Sequence, residues 1–173
     1  MKSTVILALL LTCTLHLFAQ RCDYVKDEND KFTGKKFILT KSPLFKEFTK
    51  QSDIDFSLYH DSLYVSLSYV EASPQPIESD MTSELWLSLS DGSVMKLKIS
   101  DAYKGRVRGT MGGVMESVFQ PSFFVSKEQL TTLTMSPVTG FRVGHSNGAI
   151  QKDVPEKFQK RIRIAAKCLL DVL

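Results

Sequence analysis

Alternation of apolar and polar positions dominates the middle of this chain. In DSLYVSLSYV, Leu63, Val65, Leu67 and Tyr69 fall on one side and Tyr64, Ser66 and Ser68 on the other, the period-two pattern of a strand buried on one face. Phe56 and Leu58 alternate in the same way just before it, and His60-Asp61 supplies a turn region between the two, so this stretch predicts a hairpin. ELWLSLSDGSVMKLKI predicts a second. Leu85, Leu87 and Leu89 run into Asp91-Gly92, which can supply the positive φ angles of a tight turn, and Met95, Leu97 and Ile99 return. Trp86 then lies on the face opposite the leucines and needs another cover or partial exposure. FRVGHSNGAI predicts a third hairpin, with Asn147-Gly148 as the turn and Phe141, Val143 and Ile150 flanking it. GKKFILT reads as a further short apolar strand, which FKEFT can continue along the same edge.

Two segments change period. SKEQLTTLT places Ser126 three residues before Gln129, a capping-box arrangement for one short helix. In DVPEKFQKRIRIAAKCLLDVL, Phe158, Ile162, Ala165, Leu169 and Val172 form a single apolar stripe, so this segment predicts a helix packed on the sheet. Asp153 is its expected cap, with Pro155 in the first turn and Glu156 at the positive end of the helix dipole. Only Glu71 to Ser83, with Pro74, Pro76 and several serines, reads as a sizeable internal loop. The expected class is α+β: about seven or eight antiparallel strands in a curved sheet or small sandwich, closed by the C-terminal amphipathic helix.

The N-terminus adds an address. Lys2 opens a run whose apolar core is Val5 to Leu11, followed by a more mixed segment ending in Phe18-Ala19-Gln20. A charged start, a short apolar core and a small residue near the exit describe a secretory signal peptide over residues 1–20, too short and interrupted for a membrane anchor. Residues 21–173 then form a single domain. A lipoprotein would need a small residue before an acylated cysteine, whereas Arg21 precedes Cys22 and Thr12 precedes Cys13. Of 22 Lys and Arg against 19 Asp and Glu, the leader removes only Lys2, and a nearly neutral mature chain gives no general reason to expect nucleic acid as a partner. Cys22 and Cys168 survive maturation, and in an oxidising compartment the pair predicts a disulfide that pins both termini together.

Candidate chemistry is sparse. Gly144-His145-Ser146-Asn147-Gly148 matches G-x-S-x-G, the nucleophile elbow of α/β-hydrolases. In that fold the serine stands between a strand and an immediate helix, and the acid and histidine follow it. Here no histidine follows Ser146, and a hairpin turn accounts for Asn147 and both glycines. Gly109, Gly112 and Gly113 lack the lysine of a phosphate loop and read as a loop feeding a strand. Asp23, Asp27, Glu28 and Asp30 resemble a calcium cluster but lack the loop glycine and terminal glutamate of an EF-hand. His60 and Asp61, with Asp53 and Asp55 nearby, are explained by alternation and turn chemistry. No residue is therefore assigned to catalysis, to a metal or to a cofactor. Lys152, Lys157, Lys160, Arg161, Arg163 and Lys167 make the C-terminal helix basic, a solvated face first and an anionic-surface candidate second.

CDYVKDENDKFTGKKFILT, ELWLSLSDGSVMKLKI, the short helix after FFVS, and FRVGHSNGAIQKDVPEKF together resemble a group of small exported single-domain proteins of Gram-negative bacteria without characterised activity. The resemblance implies the same secreted architecture and carries no catalytic residue. The expectation is a non-enzymatic binding or accessory protein in the periplasm or outside the cell, with an unknown envelope or extracellular protein or ligand as partner. Two alternatives stand beside it: a serine hydrolase using Ser146 with His145 or His60, and a carrier of an apolar ligand between sheet and helix.

Overall fold

The computed structural model describes residue 22 and residues 24–47, 50–110, 113–146 and 148–173. The predicted signal segment, Asp23, Gly112 and Asn147 lie outside these. Among the described residues eleven strands and two helices follow one another in the order β1 (Tyr24–Asn29), β2 (Lys36–Lys46), β3 (Lys50–Tyr59), β4 (Ser62–Ala72), β5 (Glu84–Leu89), β6 (Val94–Lys98), β7 (Arg106–Gly109), β8 (Met115–Phe119), β9 (Ser122–Phe124), α1 (Lys127–Met135), β10 (Val138–His145), β11 (Gly148–Asp153) and α2 (Glu156–Leu170). Every strand pairing is antiparallel. Seven strands make one sheet in the order β1-β2-β3-β4-β8-β7, with β9 also on β4, and four make a second in the order β11-β10-β5-β6. The α+β class holds. The additional strands are those that carry little alternation: β1, β7 and the three-residue β9.

The β3–β4 hairpin keeps register from Lys50↔Glu71 to Tyr59↔Ser62, which leaves His60 and Asp61 as a two-residue loop. Both have positive φ, +48° and +65°, the primed turn whose twist matches the flanking strands. The Asp91-Gly92 turn is longer than a two-residue one: Ser90 to Ser93 form the loop, the Asp91 carboxylate accepts from Ser93 N and Oγ, and only Gly92 has positive φ. In β2 the register shifts between Pro43 and Phe45. The bulge makes Leu44 and Phe45 both core residues, although they are neighbours in sequence.

The inner faces of the two sheets meet in one core that includes Phe56, Leu67, Phe119, Phe123, Leu85, Leu87 and Phe141. Phe45 of the large sheet stacks on Phe141 of the small one with ring centroids 6.1 Å apart, and an isolated bridge joins Ile99 to Phe123. The segment from Ser73 to Ser83 lies across this edge. Its buried Ile77 donates its N–H to Ser117 Oγ at 3.1 Å, and Ser79 pairs with Tyr103. Gly105 allows that approach, since a Cβ there would collide with the Ile77 backbone.

Helix α1 carries the expected capping box between Ser126 and Gln129. Helix α2 buries Phe158, Ile162, Ala165, Ala166, Cys168 and Leu169, lies chiefly on β2 and packs against α1. Thr40 of β2 donates its hydroxyl to Ala165 O at 3.2 Å, and Tyr24 donates to Cys168 O at 3.2 Å. One expectation is corrected: Asp153 does not cap α2. It remains paired with Gly140 at the end of β11, and Pro155 is the N-cap residue, with no side-chain hydrogen bond. The strand ladder holds Asp153 two residues before the cap. Cys22 and Cys168 are joined in a disulfide with Cα atoms 5.6 Å apart across 146 residues of sequence, which ties the start of β1 to the end of α2.

Candidate functional site

The outer face of the four-stranded sheet is assembled by register. Arg142 of β10 sits opposite Gln151 on one side and Trp86 of β5 on the other, and Trp86 sits opposite Lys96 of β6. The row Gln151-Arg142-Trp86-Lys96 therefore crosses the sheet on the side away from the core leucines. The half-buried indole is fixed on three sides: its Nε1 donates to Glu84 Oε2 at 2.9 Å, Lys96 Nζ lies 4.1 Å from the ring centroid, and Arg142 Cζ lies 5.6 Å from it. Lys96 and Arg142 thus set their charged groups against the ring in cation–π contacts.

Above this row lies a cleft of about 560 Å³, walled on one side by Glu78 to Glu84 and on the other by Gly144, His145, Ser146 and Gly148. Ser146 N donates to Glu78 O at 2.8 Å, fastening the hairpin to the 73–83 segment. Asp80 shapes the other wall by accepting from Thr82 N at 2.9 Å, Thr82 Oγ1 at 2.6 Å and Ser83 Oγ at 3.4 Å. These bonds, led by that from the Thr82 hydroxyl, hold its carboxyl below the ordinary aspartate range. Ser79 Oγ is buried and has no hydrogen-bond partner among the described residues. Burial holds the His145 imidazole below its ordinary value of 6.5 against the opposing charge of Glu71, which favours its neutral form. The lining combines carboxylate acceptors, one guanidinium, hydroxyls and an aromatic ring, the equipment to orient a polar ligand by hydrogen bonds over an apolar platform. At Gly144, which lines the cleft, an added Cβ would meet nothing within 4 Å.

Gly144, His145, Ser146 and Gly148 thus line this cleft, but in a hairpin context. Ser146 stands between two strands, β10 and β11, and not before a helix. His60 lies at the β3–β4 turn and lines a different cleft, with Phe32, Phe37 and Tyr59. The two are not brought together. Gly109 ends β7 and Gly113 lies in the β7–β8 connection, where Thr110 N donates to Val114 O. Asp27 and Glu28 lie on the edge strand β1, paired to lysines 36 and 26, while Asp30 accepts from Phe32 N and Thr33 N in a turn. Among the described residues no group of three or more His, Cys, Asp and Glu is placed to hold a metal ion.

Asp53 and Asp55 share the outer face of the large sheet. Asp53 is paired with Lys41 at 3.1 Å. Asp55 is pushed up to about 6 by burial, against the attraction of Lys41. A further cleft of about 420 Å³ lies between β2 and α2, where an apolar carrier would need its cavity, but Lys41 and Arg161 are among its lining residues. Sequence reasoning placed Trp86 on the outer face and missed its partners. The cross-strand neighbours Arg142 and Lys96 become visible only once β10 is known to pair with β5.

No protein family model, no curated protein and no solved structure shows significant similarity to this chain.

Proposed function

We propose that the chain is an exported, non-enzymatic binding or accessory protein of the cell envelope, acting in the periplasm or outside the cell, and that its ligand enters the cleft at Trp86. The observation that carries this reading is an indole oriented by Glu84 and flanked by Arg142 and Lys96, beneath an open cleft with hydrogen-bonding groups of both polarities. The Cys22–Cys168 bridge supports an oxidising compartment. No helix among the described residues is long and apolar enough to cross a membrane.

Trp86 is the chain's single tryptophan, so its emission reports on this cleft alone. Titration with fractionated envelope extract should shift that emission for the wild type. Gly144→Leu, which fills the cleft without backbone strain, should abolish the shift while keeping the melting temperature. An unchanged response in Gly144→Leu would refute the site. A fluorophosphonate probe separates the hydrolase alternative, since covalent labelling of Ser146 that Ser146→Ala removes would overturn the non-enzymatic reading.

A further inference from the structure

A second surface lies on the outer face of the seven-stranded sheet, apart from the Trp86 cleft. Register again builds it. Phe37 of β2 stands beside Tyr59 of β3, one row before the pair Ile38↔Leu58; the next row runs Leu39-Ser57-Tyr64-Phe124 through β2, β3, β4 and β9; the next runs Lys41-Asp55-Ser66-Ser122. An aromatic end therefore grades into a hydroxyl and carboxylate middle on one continuous face. From Tyr59 to Asp53 the face extends about 20 Å along β3.

At the aromatic end the rings wall a groove of about 340 Å³, whose lining includes Ser57, Ser100, Asp101 and Ser122. Phe37 and Tyr59 meet edge to face at 5.8 Å, and Tyr64 and Phe124 lie 5.4 Å apart. Tyr59 and Phe124 keep 49% and 48% of their surface exposed, a cost in water that an occupant stacked on the rings would relieve. Ser66 and Ser122 hydroxyls share a hydrogen bond at 2.8 Å, and Asp101 brings a carboxylate to the groove lining. Lys41, in the row beyond the groove, is engaged by Asp53, Lys26 Nζ lies 5.4 Å from the Phe37 ring centroid and 3.5 Å from Glu28 Oε1, and Asp101 forms no ion pair among the described residues.

We infer that this groove binds a neutral carbohydrate chain. Pyranose rings present flat C–H faces that stack on exposed aromatic side chains, and their hydroxyls donate to carboxylate and serine oxygens. The groove offers these groups side by side on one rigid sheet. An anionic polymer would meet the Asp101 carboxylate, while the cations beside the groove, Lys26 and Lys41, are engaged by Glu28 and Asp53. A proline-rich peptide would use the rings and leave the Asp101 carboxylate unmatched.

The test is calorimetric titration of the mature, oxidised protein with chitotriose, cellotriose and maltotriose, with heparin and a polyproline peptide as the rival classes. At least one neutral trisaccharide should bind at roughly millimolar concentration or below, and Tyr59→Ser and Phe124→Ser, both exposed substitutions, should each weaken it roughly tenfold. Gly144→Leu should leave it unchanged, which separates this groove from the Trp86 cleft. Absence of binding by all three sugars, equal binding by the Tyr59 and Phe124 variants, or binding of heparin or polyproline in place of sugar would each overturn the inference.

Discussion

Asp55→Asn is expected to stabilise the protein at neutral pH and to lose that advantage in acid. Asp55 lies between Lys41 and Ser66 in the middle of the large sheet, half-buried, with Oδ1 unpartnered. Burial raises its carboxyl from 3.8 to about 6, net of the opposing pull of Lys41. The folded form therefore holds its proton to about pH 6, whereas the unfolded chain releases it near 3.8, and the wild type loses stability as pH rises through that window. A shift of this size corresponds to about 3 kcal/mol at 1.36 kcal/mol per unit. Solvent screening of a half-exposed group reduces the expected effect to about 1–2 kcal/mol, or roughly 2–8 °C in melting temperature for a domain of this size. Asparagine carries no charge at any pH, so the variant should melt higher than the wild type at pH 8, and the two curves should converge by about pH 3.5. Asp30, Asp80 and Asp91, whose carboxyls are held low by hydrogen bonds, titrate alike in both proteins and cancel in the difference. Thermal unfolding followed by circular dichroism across this range decides the matter. A difference that does not change with pH, or a variant less stable at pH 8, would show that burial does not govern this carboxyl.

Replacing His60-Asp61 with Asn-Gly should raise stability by about 1 kcal/mol, because both positions hold left-handed backbone that ordinary side chains adopt at a cost. The loss of the exposed Lys35–Asp61 pair subtracts little, and an unchanged denaturant midpoint would refute the estimate. Ile162→Asp places a charge at a fully buried position of α2 and should cost several kcal/mol, whereas Lys160→Glu on its exposed face should cost well under one; equal melting losses in the two would refute the facing of the helix. Cys168→Ser opens a loop whose closure is worth up to about 5 kcal/mol in the chain-entropy model. It should lower the melting point and speed proteolysis within residues 24–31, and equal cleavage rates with and without the bridge would show that β1 is held by its ladder alone.

The local elements were written into the sequence because their causes are local. Strict alternation from Leu63 to Tyr69 identifies a half-buried strand, Ser126 and Gln129 identify a helix start, and the stripe from Phe158 to Leu169 identifies the buried face of α2. The two cysteines outside the predicted leader allowed one pairing, and that pairing is present. Elsewhere local patterns pointed only part of the way. Short strands such as β7 and β9 bury too few residues to alternate visibly, the bulge at Leu44 breaks the period that would have identified the end of β2, and Asp153 has the right chemistry for a cap but is held by β11. Both proposed binding surfaces depended on tertiary structure altogether. Alternation tells which side of a strand a residue occupies, but not which strand lies beside it. Trp86 meets Arg142 through the β5–β10 pairing, and Tyr64 meets Phe124 through the β4–β9 pairing. Such contacts between strands distant in sequence are selected by burying the two inner faces together, and that shared core decides which polar and aromatic side chains become neighbours on the outside.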